Sequence, residues 1–192
     1  MILAITARVV PLPTLVVVSG PPGSGKTTLA HKIALLMGCP AICRDEIKEG
    51  MVHATPGFVP RPGDELSMRT LSTFFGVLEL LLGAGVTTVA EAAFQDRLWR
   101  PGLKPLQSLA QIRIVHCTVD AHLAFQRRLR RQESNPLRRA HADPGPHDAA
   151  ERALGHSMFD RVSVDVPWIE VDTTDGYRPG LSEIVAFVQG QG

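Results

Sequence analysis

The chain has 192 residues, 44% of them hydrophobic and 20% charged, a composition typical of a compact globular domain and not of a disordered or fibrous chain. The formal net charge of +1 excludes a global field that would attract nucleic acid or an anionic membrane, so any anion site must come from a local cluster. Three scattered cysteines do not form the framework of a secreted disulfide protein and predict a reducing, cytoplasmic location.

Strands and helices alternate along the predicted chain after a loose leader at residues 1–14, whose apolar start is interrupted by an arginine and two prolines. Short apolar runs predict strands at residues 15–19, 41–43, 86–90, 112–117 and 168–171. Apolar spacing and caps predict helices at residues 27–37, 66–82, 96–110 with a break at its prolines, 121–132, 149–159 and 181–189.

This alternation determines the predicted fold class. Near-continuous apolar strands that alternate with helices are typical of a parallel sheet covered by helices on both faces. The sequence shows no repeat and no second domain. We therefore expect residues 15–192 to form a single α/β domain.

A glycine-rich segment lies between the first predicted strand and the first predicted helix. Residues 20–27 read GPPGSGKT and match the phosphate-loop pattern G-x-x-x-x-G-K-[ST] in the context that confirms it. In such a loop the backbone N–H groups converge on phosphate oxygens, Lys26 reaches the β- and γ-phosphates, and the Thr27 hydroxyl ligates Mg²⁺. The predicted nucleotide-binding residues are Gly20, Pro22, Gly23, Ser24, Gly25, Lys26, Thr27 and Thr28. The sequence thus predicts binding of ATP with Mg²⁺.

Carboxylates follow two of the predicted strands, at the sheet edge where open α/β sheets bind ligands. Asp45 comes after the second strand, where it could take the proton of an acceptor hydroxyl, cap the helix that follows, or do both. Its neighbours Arg44 and Lys48 could neutralise acceptor charge. Glu91 ends the strand at residues 86–90, so it is either a ligand in the magnesium shell or a solvent-facing charge.

A basic segment contains six arginines near one acid, Glu133. Arg127 and Arg131 have i,i+4 spacing, which would place both on one helix face, where they could close over the triphosphate as a catalytic lid spanning about residues 121–148. A solvated arginine-rich face and a groove for RNA or DNA ends are the alternatives. The nucleic-acid alternative lacks interleaved aromatic side chains.

These motifs together resemble a known family. The segments that carry the resemblance are GPPGSGKTT at 20–28, RDEIK at 44–48, EAAF at 91–94, HCTVD at 116–120 with the two lid arginines, and VDTTD at 171–175. The chain resembles the small P-loop kinases of the polynucleotide-kinase-like and zeta-toxin-like group, small AAA-type ATP-binding proteins whose relatives include chloramphenicol phosphotransferase and gluconate kinase.

The resemblance implies a three-layer P-loop NTPase fold with about five parallel strands and an arginine-bearing lid. It also implies that Asp45 activates the acceptor and that Thr173 and Thr174 lie near the adenine. Acceptors in this group range from sugars and antibiotics to nucleic-acid 5′ ends. We therefore expect an ATP-dependent kinase for a small-molecule hydroxyl, with a polynucleotide 5′-hydroxyl kinase and an ATPase or switch without an acceptor as alternatives.

Overall fold

A five-stranded parallel sheet forms the centre of the molecule. The computed structural model describes residues 11–61, 63–134, 140–141 and 158–190. The strands are β1 Thr14–Ser19, β2 Ala41–Cys43, β3 Thr88–Glu91, β4 Gln111–Thr118 and β5 Trp168–Asp172. Their spatial order is β2-β3-β1-β4-β5, and every neighbouring pair is parallel.

Helices connect the strands and cover both faces of the sheet. Within the described ranges they are α1 Lys26–Met37, α2 Arg44–His53, α3 Glu65–Gly83, α4 Asp96–Leu103, α5 Ala121–Ser134 and α6 Leu181–Val188. A 3₁₀ turn at Pro105–Ser108 follows α4. The predicted three-layer α/β P-loop NTPase fold is confirmed.

The alternation of side chains along β1 divides the interior into two cores. Leu15 and Val17 point to one face, where they pack with residues of α3 and α4, and Val16 and Val18 point to the other, where they pack with α1 and α6. All four side chains are fully buried. A central strand buried on both faces reads as a continuous apolar run, which is why β1 is evident from sequence.

Helix α3 has a mixed surface and is the longest helix described. By length and composition alone it is the one described helix that could cross a membrane. Its buried residues Leu66, Thr70, Phe74, Leu78 and Leu82 recur every four positions. Because residues at this spacing share one helix face, the buried stripe packs into the core of the domain.

Two differences between predicted and observed boundaries have a visible cause in the structure. The strand predicted from residue 86 begins at Thr88, because the backbone N–H of Val86 instead donates to the carbonyl of Leu81 at the end of α3. The helix predicted over 96–110 ends at Leu103 and is replaced by the 3₁₀ turn at Pro105, as the predicted break required. Of the helix predicted at 149–159, residues 149–157 lie outside the described residues.

Candidate functional site

Three neighbouring strands end at the same edge of the sheet and bring the predicted site residues together. The phosphate loop follows β1, Asp45 follows β2, and Glu91 is the last residue of β3, which lies between the other two. In the sheet register Glu91 is paired with Val18 on one side and with Cys43 on the other. The carboxyl ends of these strands therefore form one site from three separate segments.

Glycines in the phosphate loop allow close approach of other backbone segments. Gly20 has φ +132°, and a Cβ atom there would clash with the carbonyl oxygen of Cys117 at the end of β4. Gly23 has φ +87°, and its Cβ would clash with the carbonyl oxygen of Ala124 in α5. Both positions therefore combine a backbone conformation that favours glycine with the lack of room for any side chain.

Lys26 and Thr27 are directed toward Glu91. The Lys26 ammonium donates to the carbonyl of Pro21 at 2.8 Å and lies 3.9 Å from Glu91 Oε1. The Thr27 hydroxyl donates to Glu91 Oε2 at 3.1 Å. Lys26 and Glu91 are both buried, with 5% and 4% of their surface exposed. A buried cation and a buried anion thus face each other beneath the phosphate loop.

Burial shifts the protonation equilibria of this pair in opposite directions. Burial lowers the pKa of the Lys26 ammonium, although the Glu91 carboxylate opposes the shift. Burial raises the pKa of the Glu91 carboxyl, although Lys26 opposes it. Electrostatic interactions are larger where the local dielectric constant is low. The charged form of either group therefore interacts with a ligand more strongly here than it would in water.

The donor atoms at this position suit a magnesium ion. Mg²⁺ prefers hard oxygen ligands and is usually held in such sites by one or two protein oxygens together with phosphate oxygens. Thr27 and Glu91 present oxygen donors side by side, and the nearby Ser24 hydroxyl is buried with no hydrogen-bond partner among the described residues. The residues present therefore fit the ion, and the assignment of Thr27 and Glu91 as its ligands stays a prediction.

Asp45 lies in the first turn of α2. Cys43 is the N-cap residue of that helix, so the alternative role of Asp45 as the cap is wrong. The Cys43 side chain makes no capping hydrogen bond. Arg44 Nη1 donates to Asp45 Oδ1 at 3.1 Å, and 39% of the Asp45 side chain is exposed. The Asp45 charge contributes to raising the pKa values of both Lys26 and Glu91, after the effects of burial. Asp45 therefore combines solvent access with electrostatic contact to the phosphate-loop site.

Lys48 is paired with residues at the start of α3. Its ammonium donates to Asp64 Oδ2 at 3.0 Å and to Ser67 Oγ at 2.8 Å, and its side chain is 4% exposed. Burial alone would raise the pKa of Asp64, but hydrogen bonds from Lys48, Ser67 and Arg61 lower it to about 2. These contacts fasten α2 to α3, and the contact of Lys48 with an acceptor stays a prediction.

Arg127 contacts the loop after β5. Its Nη2 atom donates to the carbonyl oxygens of Thr173 at 2.9 Å and Thr174 at 3.0 Å. The Thr173 hydroxyl lies 2.8 Å from the carbonyl oxygen of Ser24 and 3.0 Å from that of Thr118. The predicted lid arginine, the predicted adenine loop and the phosphate loop are thus linked by direct hydrogen bonds.

The second lid arginine, Arg131, also lies on α5, where its charge contributes to lowering the pKa of Lys26, after the effect of burial. Arg131 is therefore in electrostatic contact with the phosphate loop. Of the predicted lid, residues 121–134 form this helix, and residues 135–139 and 142–148 lie outside the described residues.

Sequence reasoning missed one polar pair at the same sheet edge. Ser19 Oγ lies 3.2 Å from His116 Nδ1, and both residues are buried, Ser19 at the end of β1 and His116 two residues before the end of β4. Burial lowers the pKa of the His116 imidazole, against a raising effect from Glu170. The available indication was a histidine at a strand end beside the phosphate loop, since polar residues in that position are otherwise costly to bury.

A family comparison agrees with this geometry. Residues 15–157 match the family described as AAA domain. The chain belongs to the AAA domain family. This membership and the fold confirm the resemblance to the small P-loop kinases. No curated protein sequence matches the chain significantly.

Solved structures share the fold of this AAA domain protein at low sequence identity. A candidate kinase from Chloroflexus aurantiacus j-10-fl has TM-score 0.81 and 22% identity, covering 93% of this chain and 98% of its own. A gluconokinase from Sinorhizobium meliloti 1021 has TM-score 0.58 and 16% identity, with 95% of each chain covered. The APS kinase of Mycobacterium tuberculosis, solved with AMPPNP and APS, has TM-score 0.59 and 16% identity, covering 94% and 99%. At these identities the likeness establishes the fold alone.

Proposed function

We propose that this AAA domain protein is an ATP-dependent kinase that transfers the γ-phosphoryl group of ATP to a hydroxyl group of a small molecule. The observation that carries the proposal is the convergence of Lys26, Thr27 and Glu91 with the half-exposed carboxylate of Asp45 at one sheet edge. The first three residues suit a nucleotide with its metal ion. A second, accessible carboxylate suits an acceptor whose proton must be removed.

Nucleotide binding relies on the loop and its supports. The loop N–H groups and the N-terminus of α1 attract phosphate oxygens, and Lys26 adds a desolvated positive charge. Thr173 holds the loop through the Ser24 carbonyl, and Arg127 holds the Thr173 backbone. We propose that Arg127 and Arg131 also stabilise the charge that develops during transfer, because both lie on the helix that packs against Gly23.

The transfer step forms one bond and breaks one. The acceptor oxygen attacks the γ-phosphorus and forms the new ester bond, while the bond from the γ-phosphorus to the bridging oxygen breaks and leaves its electron pair on ADP. The hydroxyl proton passes to the Asp45 carboxylate, which lies in the first turn of α2 and acts electrostatically on Lys26. Thr27 and Glu91 would hold Mg²⁺, whose bound charge would supply neutralisation of the phosphate oxygens.

A small-molecule acceptor is favoured by the composition. A net charge of +1 and an aromatic content of 5% offer little of the extended basic and stacking surface that single-stranded nucleic acid requires. The similar folds include a gluconokinase, an APS kinase with APS bound and a chain of an RNA repair complex, so they do not distinguish the two acceptor classes. The composition is what supports the small-molecule proposal over the polynucleotide alternative.

The test is transfer of label from γ-labelled ATP, with Mg²⁺, to a mixed panel of sugars, nucleosides, hydroxylated antibiotics and 5′-hydroxyl oligonucleotides. We expect label in a small-molecule product, and we expect Asp45→Asn to lower its kcat by about 10²–10⁴-fold because the proton acceptor is lost. The matched control is Glu65→Gln, which removes an exposed acid from the first turn of α3 and should leave the rate unchanged.

Three other outcomes would redirect the proposal. Label on oligonucleotides, with a rate that falls steeply as salt rises, would favour the polynucleotide kinase. Label only in free phosphate would favour the ATPase or switch. Transfer that persists at full rate in Asp45→Asn would leave the kinase in place and remove Asp45 from its mechanism.

A further inference from the structure

A histidine, a cysteine and a glutamate from three different elements meet close to Asp45, at the sheet edge that carries the candidate site. His31 lies on α1, Cys43 ends β2, and Glu46 lies in the first turn of α2. One ligand atom from each lies within 4.8 Å of those of the other two. We call this group the HCE cluster. It shares no residue with the phosphate loop or with the predicted magnesium ligands.

The distances in the HCE cluster are close to those of a coordinated metal. Zinc bonds of about 2.3 Å to sulfur and about 2.0–2.1 Å to nitrogen, at a tetrahedral angle, place the two ligand atoms roughly 3.5 Å apart. Cys43 Sγ and His31 Nε2 are 3.7 Å apart. The sulfur and the nitrogen are therefore already near the required separation.

The third ligand needs only a small movement. His31 Nε2 and Glu46 Oε1 are 2.7 Å apart, whereas a tetrahedral zinc ion would separate such atoms by about 3.4 Å. The side chains of His31 and Glu46 are 50% and 48% exposed, so both can rotate and an ion can reach them from solvent. Cys43 is buried and supplies the fixed member of the group.

An ordinary ion pair between helices accounts for only part of this arrangement. It explains the contact between His31 and Glu46, but it does not require a thiol within 3.7 Å of the same imidazole nitrogen. Among divalent ions, thiolate and imidazole ligands select zinc-like metals over magnesium and calcium, which prefer oxygen. The donor set therefore differs in kind from that of Thr27 and Glu91.

We propose that the HCE cluster binds one zinc-like divalent ion through His31 Nε2, Cys43 Sγ and a Glu46 carboxylate oxygen, with a fourth position open to water. Coordination releases the thiol proton to solvent. It also requires the imidazole tautomer with its proton on Nδ1, so that Nε2 presents its lone pair. The ion would tie the helix that follows the phosphate loop to the first turn of α2, where Asp45 precedes Glu46.

Cobalt provides the direct test, because a thiolate bound to Co²⁺ gives a charge-transfer band in the near ultraviolet. Untagged protein is stripped with a chelator and titrated with Co²⁺ in excess Mg²⁺, which occupies oxygen-only sites. We expect a band that saturates at one ion per chain and disappears when Zn²⁺ is added. This readout is independent of kinase activity, so it can fail or succeed separately from the proposed function.

Variants assign the ligands. Cys43→Ser should abolish the band, while His31→Gln and Glu46→Gln should each weaken Co²⁺ affinity by at least about 10-fold, the scale on which metal-site substitutions act. The last two positions are half exposed, so their variants should fold even if Cys43→Ser does not. The controls are Cys39→Ser and the exposed His122→Gln, which should bind Co²⁺ as the parent protein does.

Two results would overturn the proposal. One is the absence of a thiolate band in folded parent protein at one equivalent or more of Co²⁺. The other is a band whose strength and midpoint are unchanged in His31→Gln and Glu46→Gln, since the thiol would then bind the metal elsewhere or alone.

Discussion

Lys26 is a cation held almost out of contact with water, between the Pro21 carbonyl and the Glu91 carboxylate. Such a side chain gains most from a ligand with high negative charge, because the protein has already removed its hydration. In the proposed kinase this ligand is the phosphate chain of ATP. The residue is therefore expected to matter more for phosphoryl transfer than any exposed lysine does.

Lys26→Met should lower the rate of phosphoryl transfer by about 10²–10³-fold, the usual loss when one donor to a developing phosphate charge is removed. Initial rates with γ-labelled ATP measure it. The control is Lys32→Met on the same helix, where the exposed ammonium contacts the Tyr177 ring and not the phosphate loop. A Lys26→Met protein as active as Lys32→Met would contradict the assignment.

Asp64 is a carboxylate whose pKa is also changed by its surroundings, but its role is structural. Its pKa is about 2, below the ordinary value of 3.8, so its ionised form stabilises the fold. The contribution is fully present above pH 3.8 and is lost as the pH falls toward 2. Each unit of difference between the folded and unfolded pKa corresponds to 1.36 kcal/mol, so the ionised Asp64 stabilises the fold by about 2 kcal/mol at neutral pH.

Asp64→Asn should therefore lower the free energy of unfolding by at least about 2 kcal/mol at pH 7, because it also leaves the buried Lys48 ammonium without its carboxylate. Asparagine keeps the N-cap of α3. Urea unfolding at several pH values should show that the difference in unfolding free energy between the variant and the parent protein disappears as the pH falls from about 4 to 2. Asp175→Asn, at an exposed aspartate, is the control, and a gap independent of pH would contradict the account.

At the scale of elements, the phosphate loop is held by contact with α5 and β4 as well as by its own sequence. Gly23 and Gly57 have similar backbone angles, φ +87° and +77°, but only Gly23 faces another backbone, that of Ala124. An added methyl group at either position imposes the left-handed strain of about 1–2 kcal/mol. Only at Gly23 must the loop and α5 also move apart.

Gly23→Ala should thus cost about 1–3 kcal/mol more unfolding free energy than Gly57→Ala, the usual cost of overpacking. Urea denaturation of the two variants measures the difference. Equal losses would indicate that the phosphate loop and α5 are not packed as described.

The elements themselves were largely predictable because their local chemistry is strong. Continuous apolar runs predict strands buried on both faces, and β1 is confirmed at residues 14–19 against the predicted 15–19. The predicted start of β3 was wrong by two residues, because the Val86 N–H donates to the Leu81 carbonyl at the end of α3. Hydrophobic periodicity does not indicate such hydrogen bonds at helix ends. The missed detail is local geometry, not fold class.

The candidate site was predictable where a motif names its residues and was hidden where contacts are distant in sequence. Residues 20–27 match the phosphate-loop motif, and Glu91 was predicted because it comes directly after a predicted strand. The bond from Thr173 to the Ser24 carbonyl spans 149 positions, and the one from Lys48 to Asp64 depends on how α2 packs on α3. Sequence indicated that Lys48 is charged and near Asp45, but only packing shows which groups it contacts.

For the whole molecule, one sheet edge gathers the ends of β1, β2 and β3, and a buried core lies on each face of the sheet behind it. Catalytic groups placed at strand ends keep their positions better than groups on long loops, which favours transfer to an acceptor over leakage to water. We propose that this edge directs the phosphoryl group to an acceptor hydroxyl.

The most direct test measures ADP and free phosphate in the same reaction, with Mg-ATP and each acceptor class in turn. We predict that one acceptor class produces more ADP than free phosphate, with the difference recovered as labelled ester in equal amount. ADP and free phosphate formed in equal amounts with every class would show that water is the acceptor and would contradict the kinase assignment.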